Sequence, residues 1–196
     1  MDLQRLAFGV MYRLGFTPWD GHRLPSALTE MVEGEQAVSP GKALDIGCGT
    51  GDMSIYLAKH KWDVTAMDFV DAALDRARAK TDSAGVKVHY LRADVTKLSE
   101  SQVGTGFDLI LDGGCLHGLT DPQRQAYVRE VSGVARTGTR LILLGFAEGK
   151  RRGPTGFNQP EVERRFASGW RLLSAVVTDL STEPDSPIHC YVLERT

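Results

Sequence analysis

From residue 42 onward, short apolar runs rich in β-branched residues alternate with amphipathic stretches. The runs predict strands over residues 42–46, 63–67, 86–91, 107–111, 140–145, 171–178 and 188–193. Helical spacing between them predicts helices over 53–60, 71–81, 96–101, 122–135 and 160–167. The helix at 122 is well signalled. Asp121 offers an N-cap, Pro122 suits the first helical position, and Tyr127, Val131 and Val134 recur on one face. Gln159-Pro160 opens the last helix less firmly.

Strands alternating with helices predict an α/β fold, a three-layer sandwich whose largely parallel sheet carries helices on both faces. The pattern changes after the last helix. Residues 179–187 are polar and contain Pro184 and Pro187, so strands 171–178 and 188–193 are joined without a helix and should pair antiparallel. The expectation is a seven-stranded, mostly parallel sheet ending in an antiparallel hairpin.

A length of 196 residues suits one domain, here a core over 39–196 preceded by an N-terminal helical segment over 1–38. Hydrophobic residues at 42% and charged residues at 24% are ordinary for a globular protein. The formal charge of −2 carries no footprint for nucleic acid. Lys150-Arg151-Arg152, inside a Gly/Pro-rich stretch, reads as a solvated loop. Cys48, Cys115 and Cys190 are odd in number and lack metal-ligand spacing, which suits a reduced, cytoplasmic protein with no metal. The apolar N-terminus is broken by Asp2, Gln4, Arg5, Arg13 and Gly15, so neither a membrane span nor a signal peptide is expected.

Candidate chemistry begins at Ala43-Leu44-Asp45-Ile46-Gly47-Cys48-Gly49-Thr50-Gly51-Asp52, where an apolar strand runs into an acid and three alternate glycines. Residues without a Cβ let backbone come close to a ligand. Asp45, Asp68 and Asp94 each follow a strand end, with gaps of 23 and 26 residues. One strand, one helix and their turns fill such a gap, so the acids return to the same sheet edge, where open α/β sheets bind ligands. A nicotinamide fingerprint, G-x-G-x-x-G, would need glycine where Asp52 stands. Acids at Asp45 and Asp52 also suit a cationic ligand better than a pyrophosphate.

Asp45 through Gly51 resembles the E/D-x-G-x-G-x-G signature of class I methyltransferases, and the strand pattern is similar to their Rossmann-like fold. The resemblance implies S-adenosylmethionine as cofactor and S-adenosylhomocysteine as product. It implies that Asp45, Gly47, Cys48, Gly49 and Gly51 line the cofactor and that Asp68 accepts from the ribose hydroxyls. Asp94 would take the adenine amino group, with the Val95 N–H on a ring nitrogen and Phe69 and Leu91 beside the adenine.

In that family the segment over 107–119 faces the transferable methyl group. Here it ends a strand at Asp112 and leads through Gly113, Gly114 and Cys115 to His117. It lacks the Asp/Asn-Pro-Pro-aromatic run of enzymes that methylate amino groups on nucleic acids. With Arg124, Tyr127, Gly138-Thr139-Arg140-Leu141 and Thr17-Pro18-Trp19-Asp20-Gly21-His22, it resembles the thiopurine methyltransferase-like branch, which acts on small thiols, selenols and heteroaromatics. That branch implies an N-terminal cover with Trp19 near the methionine moiety. Its frequent arginine after the fourth-strand acid is Gly113 here.

The expected catalytic residues are His117 and Asp112, the latter also touching cofactor, and the expected substrate pocket is His22, Gly113, Cys115 and His117, walled by residues 148–158. A thiol ionises near neutral pH without help, whereas a hydroxyl needs a base such as His117. The expected activity is methyl transfer to a hydroxyl or thiol of a small aromatic or heteroaromatic molecule, by a monomer or weak homodimer. Carbon methylation in quinone-type biosynthesis and a non-catalytic cofactor-binding module are the alternatives. Cys48, Cys115, Trp62 and Trp170 also read as packing residues.

Overall fold

A computed structural model describes residues 3–17, 20–21, 23–35, 37–147, 156–178, 180 and 187–196. Its helices are α1 Leu3–Leu14, α2 Ser26–Glu33, α3 Asp52–Lys59, α4 Asp71–Ala84, α5 Asp121–Val134 and α6 Gln159–Phe166. Its strands are β1 Lys42–Ile46, β2 Asp63–Asp68, β3 His89–Arg92, β4 Phe107–Asp112, β5 Ala135–Phe146, β6 Trp170–Val177 and β7 Ile188–Arg195.

Among the described residues the seven strands form one sheet in the order β3-β2-β1-β4-β5-β7-β6. β1 pairs parallel with β2 and β4, β2 with β3, and β4 with β5, while β7 runs antiparallel to both β5 and β6. Alternation along each strand feeds two apolar layers. Leu44, Ile46, Ile110, Leu141 and Leu143 pack with Tyr127 and Val131 of α5 and Val162 and Phe166 of α6. Ala43, Val64, Leu109, Leu111 and Ile142 pack with Leu28 of α2 and Leu57 of α3. The α/β sandwich with its C-terminal antiparallel hairpin is the fold that the pattern predicts.

Several boundaries differ for local reasons. The cap of α5 is Thr120, not Asp121: Gln123 Oε1 accepts from the Thr120 N–H at 2.9 Å and its hydroxyl at 2.8 Å, leaving Asp121 in the first turn. The helix expected over 96–101 is a 3₁₀ turn, Val95–Glu100, broken by non-helical backbone at Lys97. β5 starts at Ala135, directly after α5, rather than at 140, and Leu116–Gly118 forms a second 3₁₀ turn that periodicity did not signal.

Within residues 1–38 the two helices pack differently. Tyr12 of α1 lies in a small cluster with Val70 and Ala73, flanked by Phe8 and Phe69, at the start of α4. Leu28 of α2 is fully buried in the layer under β1 and β4. α2 is therefore part of the sandwich, whereas α1 rests on the rim of the sheet.

Candidate active site

The register places the acids together. Ile46 lies opposite Met67 on one side and Asp112 on the other, so Asp68 and Asp112 stand at the carboxyl ends of the strands flanking β1. This is where strand order reverses, between β1 and β4, and where open α/β sheets hold ligands.

Asp45 sits inside β1 with no exposed surface. Ser54, in the first turn of α3, donates its hydroxyl to Asp45 Oδ2 at 2.5 Å. Asp45 Oδ1 is buried and has no hydrogen-bond partner among the described residues. Burial, opposed by the Ser54 hydrogen bond and reinforced by Asp112 and Asp68, pushes Asp45 up to about 7. Asp68 is raised by burial, although Val70 N–H donates to its Oδ1 at 2.8 Å and Gly49 N–H to its Oδ2 at 3.1 Å. Three buried acids face one edge, and a cation there relieves all of them.

The glycine loop is crowded by the protein itself. A Cβ on Gly47 would lie 2.3 Å from Cys115 Sγ, and one on Gly51 2.5 Å from the Tyr90 hydroxyl oxygen. A Cβ on Gly49 would lie 2.9 Å from the hydroxyl of Tyr12, which reaches down from α1. A polar seam continues this contact. Thr50 Oγ1 donates to Asp20 Oδ1 at 3.0 Å, Gly21 N–H donates to Asp52 Oδ2 at 3.3 Å, and Lys80 Nζ donates to both Thr50 Oγ1 and Asp52 Oδ1. Cys48 is buried against Ala66 and Leu74, its thiol pushed up by burial.

Phe69 follows β2 and meets Phe8 edge-on, with centroids 6.0 Å apart. Asp94 caps the first 3₁₀ turn, its Oδ1 accepting from Thr96 N–H at 2.9 Å and Thr96 Oγ1 at 2.7 Å. Val95 opens that turn, where helical N–H groups lack partners within the helix.

Across the switch point, Asp112 organises the loop that follows it. Its Oδ1 accepts from the N–H groups of Gly114 at 2.8 Å and Cys115 at 2.6 Å, and its Oδ2 from Leu116 at 3.1 Å. With 1% exposure the carboxylate is raised by burial against these hydrogen bonds. Cys115 Sγ turns towards Gly47 and the Ile46 carbonyl, and burial drives its thiol well up, so it packs between β1 and the loop as an un-ionised group. Gly113 is exposed and borders Met53, 2.7 Å from where its Cβ would stand. His117 lies in the second 3₁₀ turn, its ring stacked on Phe146 at 5.0 Å and 23°. Trp19, His22 and residues 148–155 lie outside the described residues.

Residues 43–138 match the family described as methyltransferase domain. The chain carries a methyltransferase domain. An uncharacterized methyltransferase of Schizosaccharomyces pombe is 28% identical over 105 residues, covering 54% of this chain and 71% of that protein. The ubiquinone biosynthesis O-methyltransferase of Hahella chejuensis is 32% identical over 110 residues, covering 56% of this chain and 45% of its own length. The 1,6-didemethyltoxoflavin-N1-methyltransferase of Burkholderia thailandensis, solved with 1,6-didemethyltoxoflavin and S-adenosylhomocysteine, shares the fold at TM-score 0.80 and 20% identity, over 98% of this chain and 87% of that one.

The methyltransferase is S-adenosylmethionine-dependent. The edge fits this cofactor: its sulfonium and ammonium are cations, and the Asp45 Oδ1 atom is a buried acceptor in need of one. Among the described residues no group of three His, Cys, Asp or Glu could hold a metal ion, and no helix is long and apolar enough to cross a membrane.

Ser54 and Tyr12 escape sequence reasoning, and Arg124 enters it only as part of the family resemblance, with no role of its own. Nothing in the pattern marks Ser54 or Tyr12, whose partners are distant in the chain. Arg124 carried a signal, because it stands three residues before Tyr127 on the apolar face of α5, where a charge is out of place unless it is paired.

Proposed function

We propose that this methyltransferase methylates a hydroxyl or thiol of a small aromatic or heteroaromatic molecule; the thiopurine methyltransferase-like resemblance supports the thiol and the heteroaromatic ring. The observation that carries the reading is the His117–Phe146 stack beside the Asp112 loop, across the sheet switch from Asp45 and Asp68. It offers a planar acceptor an aromatic wall and one titratable nitrogen base. The names of the ubiquinone biosynthesis O-methyltransferase and the toxoflavin N1-methyltransferase agree with small-molecule acceptors.

In this reading Asp45, Gly47, Cys48, Gly49 and Gly51 line the cofactor, with Asp45 meeting its cationic end. Asp68 accepts from the ribose hydroxyls with its remaining lone pairs, held in place by Gly49 and Val70. Asp94 and Val95 serve the adenine beside Phe69. Residues 1–38 contribute a cover through α1, whose Tyr12 already reaches Gly49, and Trp19 and His22 belong to the same segment. When bound, the cofactor supplies a methyl group on a sulfonium leaving group, so the protein's work is to orient, desolvate and move one proton. Asp112 holds the loop of Gly113 and Cys115, and His117 takes the proton of a hydroxyl acceptor. A thiol arrives ionised and leaves His117 a shaping role.

The test is transfer of labelled methyl from S-adenosylmethionine to a panel of phenols, hydroxy-heteroaromatics and aromatic thiols, with wild type and His117→Ala. Turnover on a phenol or thiol is expected, with His117→Ala slowing phenols by about 100-fold or more and thiols far less. Label on carbon would favour the quinone-type reading, and binding without turnover would favour a non-catalytic module. Equal losses on both acceptor types would remove His117 as the base.

A further inference from the structure

The side chain of Arg124 is only 6% exposed, yet it projects from α5 into the acceptor side of the molecule. Its Nε donates to the Leu119 carbonyl at 3.0 Å, and its Nη2 donates to the carbonyls of His117 at 3.1 Å and Gly156 at 2.9 Å. Its Nη1 donates to Glu161 Oε1 at 2.8 Å, and that oxygen also accepts from Arg165 Nε at 2.6 Å. Burial acts against the Glu161 charge, but Arg165 and Arg124 hold the carboxyl below its ordinary range. Arg124 Cζ also stands 5.9 Å from the centre of the Phe157 ring.

These contacts join segments that the backbone leaves separate. His117 lies in the 3₁₀ turn after β4 and Leu119 just past it, Gly156 and Phe157 precede α6, and Glu161 lies in its first turn. Phe157 N–H donates to the Phe146 carbonyl at 3.1 Å, so the segment fixed by Arg124 is also bonded to the residue on which His117 stacks. One guanidinium thus ties both the His117 backbone and the neighbour of its ring. A buried ion pair alone is weak evidence of a stabilising role, because desolvation offsets much of the attraction. A fork that reaches three carbonyls and a carboxylate gives geometry that a point charge cannot.

We propose that Arg124 is a positioning residue, which sets the place of the His117 ring on the acceptor side without touching cofactor or acceptor. The proposal rests on the acceptor-side reading of His117. Its ion-pair partner Glu161 holds the guanidinium in the orientation that reaches all three carbonyls.

The experiment compares wild type, Arg124→Lys, Arg124→Met and Glu161→Gln by three readouts, with melting temperature as the control for fold. These are the ¹⁵N-histidine imidazole signals of His117, identified by their loss in His117→Ala, calorimetric S-adenosylmethionine affinity, and methyl transfer to the panel phenol that wild type turns over best. Arg124→Met should move or broaden the His117 signals and lower acceptor kcat/KM by about tenfold or more, while cofactor Kd stays within about twofold. Arg124→Lys keeps the charge opposite Glu161 but not the fork, so it should recover melting temperature without recovering His117 signals or turnover. Full recovery by lysine would reduce Arg124 to an ion pair and overturn the proposal. So would unchanged His117 signals in Arg124→Met, or an equal loss of cofactor affinity. Should Arg124→Met not fold, Arg124→Lys and Glu161→Gln decide by the same criteria. If wild type methylates no panel member, the acceptor reading has failed, and the imidazole signals still judge Arg124.

Discussion

Ser54 donates to one oxygen of Asp45 at 2.5 Å, and the other oxygen of that carboxylate is buried without a hydrogen-bond partner among the described residues. Burial, with Asp112 and Asp68 close by, raises the group from 3.8 to about 7. The folded chain then holds a proton between those values that the unfolded chain has released. The contribution of Asp45 to stability is therefore greatest below pH 3.8 and falls as pH rises towards 7, by a few kcal/mol, on the order of 1.4 kcal/mol per unit. A cationic ligand favours the ionised carboxylate, so cofactor binding should expel a proton near pH 6. Calorimetric titrations in buffers of different ionisation heat should find a release approaching one proton, absent in Asp45→Asn. Release that survives in Asp45→Asn would place the proton elsewhere.

Asp112 accepts from three successive backbone N–H groups, and Asp112→Ala leaves all of them without this partner, the Leu116 N–H fully buried and the other two partly so. Each such loss costs about 1–3 kcal/mol. The expected penalty is roughly 3–5 kcal/mol, a fall of about 10 °C in Tm for a chain of this size. Asp112→Asn keeps one oxygen for Gly114 and Cys115 but turns an NH₂ towards the Leu116 N–H, so an intermediate loss is expected. Denaturant melts of both variants check the order, and a neutral Asp112→Ala would contradict the role given to this carboxylate.

Gly51 has φ +85°, and its Cβ position lies 2.5 Å from the Tyr90 hydroxyl oxygen. Gly51→Ala should lose about 1–2 kcal/mol from left-handed backbone, with the collision added to it. Tyr90→Phe removes the colliding atom. The double variant should regain the steric part only, giving a favourable coupling in a double-mutant cycle of melting free energies. Strict additivity would mean that the collision is absent.

Much of the fold is legible in the chain because β1, β2 and β4 are short apolar runs with an acid at or next to the strand end and turn residues after it. Periodicity fixes such elements, and the polar, proline-containing link before β7 fixes the hairpin. What escaped depends on other forces. The 3₁₀ turn at Val95–Glu100 is capped by Asp94, and the Leu116–Gly118 turn follows the loop held by Asp112 rather than any spacing of its own. Thr120 and Asp121 can both cap, and only Gln123, three residues after Thr120, decides between them.

The candidate site divides in the same way. Glycines and acids at Gly47, Gly49, Gly51, Asp45 and Asp68 carry their chemistry in residue type and spacing. Ser54, Tyr12 and Arg124 act through partners 9, 37 and 37 residues away, on Asp45, Gly49 and Glu161 respectively. Such long-range pairs arise from packing, which a single sequence does not display. Cys115 lies in the segment that the resemblance sets by the methyl group, and its sulfur fills the space that Gly47 leaves open, as the packing alternative for this residue expects.

The most direct measurement is a calorimetric titration of S-adenosylmethionine into the wild-type chain and into Asp68→Ala, with melting temperature and circular dichroism as controls for fold. Wild type should bind one-to-one, with affinity weakened about 30-fold or more in Asp68→Ala, because a charged hydrogen-bond acceptor is removed. No binding to wild type, or unchanged affinity in a folded Asp68→Ala, would contradict a cofactor site at this sheet edge.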